Sequence, residues 1–430
     1  MTRIRQLHLN ANIVPGGRHP VAWRKQESSP RPDDIGHLVH IARAAERGTF
    51  DAIFFADQAA LDPLAPHRPW NALDPTLVLA ALARETTHLG LVATASTTFE
   101  HPYTVARRFA SLDHISKGRA AWNIVTTHHA GVAGNYGLET LPRHDLRYER
   151  AHEFIEVVRK LWRSWDDDAL VADRESGRYV DMTKVRTIDH TGDIFRVRGP
   201  LNVPRTPQGE PVLFQAGDSD ESRTLGARFA DALFTVQRTF ADAQAFRRDV
   251  HTRAVRRGRD PSRLLVLPGL LPVVGATQED AWRRKRELDD LLDIDREHAR
   301  IAALFGLDKA RLPLDGKFPA DLLDGWSSTQ TKGFAENLLR EACKEGWTVR
   351  DTINRNPGGH RVIAGAPEQI ADDIAGWFEG HAADGFNLNF DSYPSGLEAF
   401  VEHVVPLLRR KGIFRRDYEG VTLRAHLGLE

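Results

Sequence analysis

SKGRAAWNIVTTHHAGVAGNYG, residues 116–137, decides the fold because it changes character halfway. RAAWNIV reads as a buried strand, with small and apolar residues around Trp122 and the β-branched pair Ile124 and Val125 favouring extended backbone. The next twelve residues hold two adjacent histidines, three glycines, an asparagine and a tyrosine. That run is too polar for core and too long for a simple strand-to-helix turn. Loops of this length inside compact domains are more often functional than idle.

A helix follows. HDLRYERAHEFIEVVRKLWRSW, residues 144–165, repeats Phe154, Val157, Val158, Leu161, Trp162 and Trp165 on one face at helical spacing. The same alternation of strand and helix runs along the whole chain. Eight strands are expected: IRQLHLN from Ile4, AIFFA from Ala52, LGLVAT from Leu89, RAAWNIV from Arg119, VLFQA from Val212, ALFTV from Ala232, LLVLPGLLPVV from Leu264 and FNLNF from Phe386. Each precedes a helical stretch, the signature of βα units around a parallel sheet. An open doubly wound sheet would also alternate. Eight units without a dinucleotide GxGxxG fingerprint favour an α/β fold closed as a (β/α)8 TIM barrel.

Long segments follow the first strand (11–32), the second (57–73), the fourth (126–143) and the seventh unit (about 306–366). In a barrel all of these emerge on the C-terminal face, where such folds build their sites. Residues from about 168 to 211 add a hairpin and loop before the fifth strand. With no repeat and no clear linker, residues 1–430 are expected to form one elaborated barrel domain.

Composition removes several function classes. Of 430 residues, 41% are hydrophobic and 27% charged, enough for a large core. Lys plus Arg is 58 against 59 for Asp plus Glu, so no basic footprint marks a nucleic-acid or anionic-membrane partner. LLVLPGLLPVV, the most apolar run, is short of a membrane span and is broken by Pro268 and Pro272. The start MTRIRQLHLNANIVPGG lacks a signal-peptide core and Cys343 stands alone, so a cytoplasmic protein is expected.

In a barrel, the residues just past each strand share one cavity: Asp57, Thr94, Thr126, Thr127 and Gln215 to Ser219. Hydroxyls and amides with the carboxylates of Asp57 and Asp218 suit a large polar cofactor better than a metal or a triad. QAGDSDES is a strand, a glycine and a helix start, where free N–H groups and the helix dipole receive anions, although Asp218 or Ser219 could equally be a plain N-cap. His144 and Tyr148, at i and i+4, can present an imidazole and a phenol to the same anion. Rival chemistries lack parts. Glu149 and His152 form one Glu-x-x-His, but a di-iron bundle needs two such motifs plus further carboxylates on facing helices; HEFIE is not HExxH, His128 and His129 diverge on most backbones, and no GxSxG elbow exists. No metal site is expected.

GRAAWNIVTT, AGNYGL and RHDLRYERAHEF resemble the flavin-dependent monooxygenases of the bacterial luciferase-like superfamily, in the branch of the nitrilotriacetate, pristinamycin and dibenzothiophene-sulfone enzymes. FFAD, TASTTFEHPYTVARRFASLDHIS, FRVRGPLNVPRTPQGEPVLFQAGDS, GAPEQIADDIAGWF, DGFNL and FRRDYEGVTLRAHLGL are similar to the same family, in the family's order from end to end. The resemblance implies reduced FMN (FMNH2) at the C-terminal face. Asp57 and Thr94 would lie near the ring system, Thr127 after the fourth strand, and His144, Tyr148 and Ser219 toward the phosphate. It implies reaction with O2 through a flavin hydroperoxide that oxidises a small organic molecule. His128 and His129 are candidate catalytic residues without a fixed family pattern.

Because no second nucleotide domain is legible, reduced FMN must come from a separate NAD(P)H-dependent flavin reductase, and a homo-oligomer is expected. A deazaflavin oxidoreductase of the same superfamily and a non-catalytic flavin-binding protein are the alternatives. The segment from about Leu307 to Thr331, with its prolines, glycines and scattered charges, is expected to be a mobile lid.

Overall fold

A computed structural model describes residues 5–26, 31–319, 322, 332–355 and 359–430. In chain order the elements begin with β1 (His8–Asn12), α1 (Ile35–Arg47), β2 (Ala52–Phe55), α2 (Pro75–Glu85), β3 (Gly90–Ser96), α3 (Pro102–Ser116), β4 (Ala120–Val125), a short α4 (Gly131–Asn135) and α5 (His144–Trp162). A hairpin of β5 (His190–Thr191) and β6 (Arg196–Val197) precedes β7 (Val212–Ala216), α6 (Asp220–Phe229), β8 (Ala232–Thr235), α7 (Phe240–Val255) and β9 (Leu265–Val274). Then come α8 (Gln278–Asp289), α9 (Ile294–Leu304), α10 (Lys332–Glu345), α11 (Val349–Arg355), β10 (Arg361–Gly365), α12 (Pro367–Glu379) and β11 (Gly385–Leu388). The chain closes with α13 (Ser395–Ala399), a π-helical turn (Phe400–Val404), α14 (Val405–Arg410) and α15 (Leu423–His426).

The main sheet has nine strands in the order β10-β9-β11-β1-β2-β3-β4-β7-β8, and an additional β8–β9 pairing closes it. Eight of them form a parallel (β/α)8 barrel, and these are the eight expected strands. The first runs from His8 rather than Ile4. β10 is the ninth. It pairs with residues 270–274 of β9, beyond the point where β9 leaves the barrel, so the insertion of the seventh unit is partly built onto the sheet.

Period-two alternation sorts the strand side chains into two layers. Leu9, Ala11, Ile53, Phe55, Leu91, Ala93, Trp122, Leu213, Phe386 and Leu388 face outward into the helix layer. Trp122 meets Phe109, Phe154 and Trp162 there, which is where the apolar stripe of α5 goes. Trp165 is not part of that stripe: α5 ends at Trp162, and the Trp165 indole donates to the Leu201 carbonyl at 2.7 Å. Phe54, Val92, Ala121, Phe214 and Leu267 face inward, and Leu423, Leu427 and Leu429 of the C-terminal tail complete that inner cluster. The Leu423 N–H donates to the Gly118 carbonyl at 2.9 Å, just before β4, so the tail stoppers the N-terminal end of the barrel.

Helix starts are capped by Asp34, Asp74, Ser219, Thr239, Thr277 and Asp293, each side chain accepting a backbone N–H of its own first turn. The expected lid is only partly describable. Residues 320, 321 and 323–331 lie outside the described residues. Before them, Leu312 and Phe318 are buried with Ile301, Phe305, Leu338 and Val349 in a separate small cluster, so this part has an apolar anchor that its prolines and glycines concealed.

Candidate active site

The interior above the apolar plug is polar. His8, Asn10 and Asn12 alternate with Leu9 and Ala11 of the helix layer and therefore face inward; Asn387 alternates likewise with Phe386 and Leu388. Both amide atoms of Asn10 and of Asn387 are buried without hydrogen-bond partners, as are Asn12 Oδ1 and Asn123 Oδ1. Buried polar groups are normally satisfied, so unpaired amides converging inside one barrel mark a place for a polar guest. None of these asparagines was singled out from sequence. The available signal was an amide at every second position of HLNAN and FNLN, where a strand buried on both faces should be apolar.

Thr94 belongs to this lining. Its Oγ1 donates to the Phe55 carbonyl at 2.7 Å and accepts from Asn123 Nδ2 at 2.8 Å, tying β3 to the end of β2 and to β4. Two residues after Phe55 stands Asp57, open to solvent on one side. Burial on its other sides, and then the charge of Asp74, push its carboxyl up to about 6. The β2–α2 loop is held over the mouth by Asn71, whose Nδ2 donates to the Ile13 and Ala56 carbonyls, each at 3.0 Å.

The loop that opened the sequence reading leaves β4 through Thr127, at φ 45. Its hydroxyl pairs with Ser96 Oγ at 2.6 Å. The carbonyls of Thr126 and Thr127 both accept from Arg147 Nη1, a buried guanidinium on α5 that sequence reasoning passed over. His128 and His129 follow at the rim. Burial, then the charges of His129 and Arg147, lowers the pKa of His128, so its imidazole is neutral at pH 7.

The phosphate-type residues converge. The rings of His144 and Tyr148 on α5 lie tilted against each other with centroids 4.8 Å apart, and His144 Nδ1 lies 3.9 Å from Glu221 Oε1 in the first turn of α6. Ser219 Oγ accepts the Ser222 N–H at 3.2 Å, so Ser219 is the N-cap of α6. The carboxylate of Asp218 turns away from this helix start: its Oδ1 accepts from the Thr235 hydroxyl and, at 3.2 Å, from Gln237 Nε2 at the end of β8. The repulsion that Asp218 would have exerted on an anion is thereby directed elsewhere. Glu221 is the acidic group that does face His144.

Gln215 is not in the cavity. Alternating with Leu213 of the helix layer, it donates to Ser222 Oγ at 2.6 Å and clamps α6 onto β7. Gly217 completes the turn at φ +141; a Cβ there would lie 2.4 Å from Ser222 Oγ, so only glycine lets the chain pass this closely.

His360, which precedes β10, also reached the mouth unannounced. It is 5% exposed, its ring stacks on Phe234 at 5.3 Å, and its Nδ1 is buried without a partner. A Cβ on Gly269 would come within 2.2 Å of that nitrogen. Leu265 and Leu267 face into the barrel, so Gly269 does too, and the imidazole occupies the space its missing side chain leaves.

The luciferase-like monooxygenase family model matches residues 18–384. The chain is 43% identical to nitrilotriacetate monooxygenase component A of Aminobacter aminovorans over 99% of its own length and 97% of the relative's. It is 39% identical to N-acetyl-S-(2-succino)cysteine monooxygenase of Bacillus subtilis (strain 168), again over 99% and 97%. Among solved structures it resembles EDTA monooxygenase from Chelativorans sp. BNC1 at a TM-score of 0.83 and 35% identity, each chain covered to 99%.

Proposed function

The chain belongs to the luciferase-like monooxygenase family, and from that premise we propose that it is the oxygenase component of a two-component system using reduced FMN and O2 to oxidise a small organic molecule. The observation that carries this reading is the pairing of an anion receptor at the start of α6 with unpaired amides inside the same barrel. Together they fit a flavin mononucleotide, whose phosphate and ring system need both.

When bound, reduced FMN supplies two electrons to O2, one oxygen going to the substrate and the other to water. The chain's own work is to bind, orient and enclose. Ser219, His144 and Tyr148, with the first N–H groups of α6, bind the phosphate. Asp57 and Thr94 position the ring system, Asp57 as a carboxylate above pH about 6. Thr127, fixed by Ser96 and by Arg147, sets the wall from which His128 and His129 face the opening. The loops after β1, β2 and β4 exclude water from the reacting atoms. A neutral His128 can accept one proton at the rim and return it.

NADH is expected to be inert toward the purified chain, with reducing equivalents arriving as FMNH2 from a separate NAD(P)H-dependent flavin reductase. The test is anaerobic titration of the full chain with reduced FMN, then O2-dependent product formation using an unrelated reductase. Saturable binding and restored oxygenation support the reading. Rapid NADH oxidation by the chain alone, or tighter binding of a deazaflavin than of FMN, overturns it.

A further inference from the structure

β10 begins level with the point where β9 lacks a side chain. Arg361 pairs with Leu270, so His360 stands beside Gly269, and Arg361 anchors that point by donating to the two carboxylate oxygens of Asp373 at 2.9 and 2.7 Å. The His360 ring turns in over the glycine. A Cβ built on Gly269 would lie 2.2 Å from Nδ1, 2.7 Å from Cε1 and 2.8 Å from Cγ, so Nδ1 points at the strand with its two ring neighbours set evenly about it. Phe234 of β8 covers the ring, with centroids 5.3 Å apart and planes inclined by 27°.

This packing decides which nitrogen carries the proton. Burial, and then the charges of Arg18 and Arg238, hold the imidazole well below its usual range, so the ring is neutral and has a single N–H. One Hα of Gly269 takes the direction of the missing Cβ and meets Nδ1 head on. A lone pair on Nδ1 accepts that weak C–H contact, whereas a hydrogen on Nδ1 would collide with it. The proton therefore sits on Nε2, which faces away from β9. Neither ring nitrogen has a hydrogen-bond partner among the described residues. An unpaired donor on a side chain only 5% exposed is costly, and a guest that carries an acceptor removes the cost.

The neighbouring strands say what kind of guest this is. Gly269 pairs with Asn387 of β11 and Asn387 with Asn10 of β1, so His360 takes the β9 place in a row of three inward positions on strands about 4.8 Å apart. Both amides of that row are unpaired, and the proposed function gives them the flavin ring. An amide offers a donor and an acceptor and can suit either redox state. The fixed Nε2–H of His360 can only donate, and it favours the state whose ring oxygens and nitrogens are richer in electrons. We propose that His360 is a cofactor-binding residue, donating from Nε2 to the ring of reduced FMN and holding that form more tightly than oxidised FMN. This rests on the oxygenase reading and adds to it a residue, supplied by the insertion after β9, that selects the redox state. An oxygenase served by a separate reductase has to take up the reduced form and release the oxidised one.

The experiment is anaerobic titration of the full chain with oxidised and with reduced FMN, in the parent and in His360→Phe, His360→Asn and His360→Gln. Phenylalanine keeps a ring on Phe234 and removes the donor. The amide of asparagine reaches only the place of Nδ1, whereas the amide nitrogen of glutamine reaches that of Nε2. His360→Phe and His360→Asn are expected to lose about ten- to a hundredfold in affinity for reduced FMN and under about threefold for oxidised FMN. The midpoint potential of the bound flavin then falls by about 30 mV for each tenfold. His360→Gln should recover most of the loss. Gly269→Ala, whose Cβ overlaps Nδ1, displaces the ring from the strand side and should show the same selective loss. Equal losses for the two redox forms, no loss, or a glutamine variant no better than asparagine overturns the proposal. So do equal affinities of the parent for the two forms, a result that needs no variant to fold. Absence of saturable flavin binding by the parent removes the oxygenase reading and this assignment with it, whereas flavin binding whose redox preference survives in His360→Phe removes the assignment alone.

Discussion

Ser219 has two assignments that an alanine would confound. Its hydroxyl caps α6 through the Ser222 N–H at 3.2 Å, and the proposed function also has it bind the flavin phosphate. Ser219→Asp separates them. Aspartate caps a helix as well as serine does, so the stability of the fold should be retained. The added charge, however, faces the phosphate. Two unit charges 4 Å apart interact by about 4 kcal/mol at an effective dielectric of 20 and about 1 kcal/mol in bulk water. Ser219 is half-buried, so a cost near the middle, about 2 kcal/mol per phosphate charge, is expected. That corresponds to FMN binding weakened at least about thirtyfold. Ser219→Ala should behave differently: it loses about 1 kcal/mol of capping and one bond to the anion, so both stability and affinity fall, affinity by about tenfold. Urea unfolding and anaerobic titration with reduced FMN read the two quantities independently. Parental FMN affinity in Ser219→Asp would refute the phosphate assignment and leave Ser219 as a cap alone.

Gly217→Ala places a Cβ 2.4 Å from Ser222 Oγ at φ +141 and breaks the Gln215–Ser222 bond, so it should cost about 2 to 4 kcal/mol. A urea midpoint unchanged from the parent, or no partial recovery on adding Ser222→Ala, would contradict this. For Asp57, burial and Asp74 raise the pKa to about 6, so the carboxylate available to accept from the ring forms only as pH passes that value. FMN affinity should rise through an inflection near pH 6 that Asp57→Asn removes; a profile identical in both proteins would discount Asp57. His426, 4% exposed, is held down to about 4 by burial and then by Arg415. Unfolded, it titrates near 6.5, so between those values the unfolded chain binds the proton first. Stability should therefore rise with pH across that window, by up to about 3 kcal/mol. A slope as steep in His426→Gln would assign it to other groups.

The barrel was readable because its information is local and repeated. Eight short β-rich runs each precede a helical pattern, and the period of a strand decides its two faces before any neighbour is known. The proposed anion receptor was half readable for the same reason: QAGDS and His144/Tyr148 are local patterns, at a helix start and one turn apart on a helix. What strand order and distance added was their convergence, with His144 3.9 Å from the first turn of α6, and the direction of Asp218, which turns to Thr235 at the end of the neighbouring strand and to Gln237 just beyond it.

Trp165 and Gln215 mark the limit of pattern. Trp165 continues the apolar spacing of α5 although the backbone has already left the helix, and Gln215 stands at a strand end while pointing to the helix layer. One concerns where hydrogen bonding stops and the other which way a strand faces, and residue type settles neither.

The remaining site residues come from segments far apart in the chain. Asn10, Arg147, His360 and Asn387 have no motif in common, and each alone reads as an ordinary surface or core residue. Sequence by itself determined the βα repeat, the helix starts and the family resemblance, because those depend on neighbours a few residues away. Only the closed barrel brought the carbonyls of Thr126 and Thr127 onto the Arg147 guanidinium, set His360 beside Gly269 and left the amides of Asn10 and Asn387 unpaired in its interior. Burial is a property of how distant segments pack, and packing is decided when the β8–β9 pairing closes the sheet.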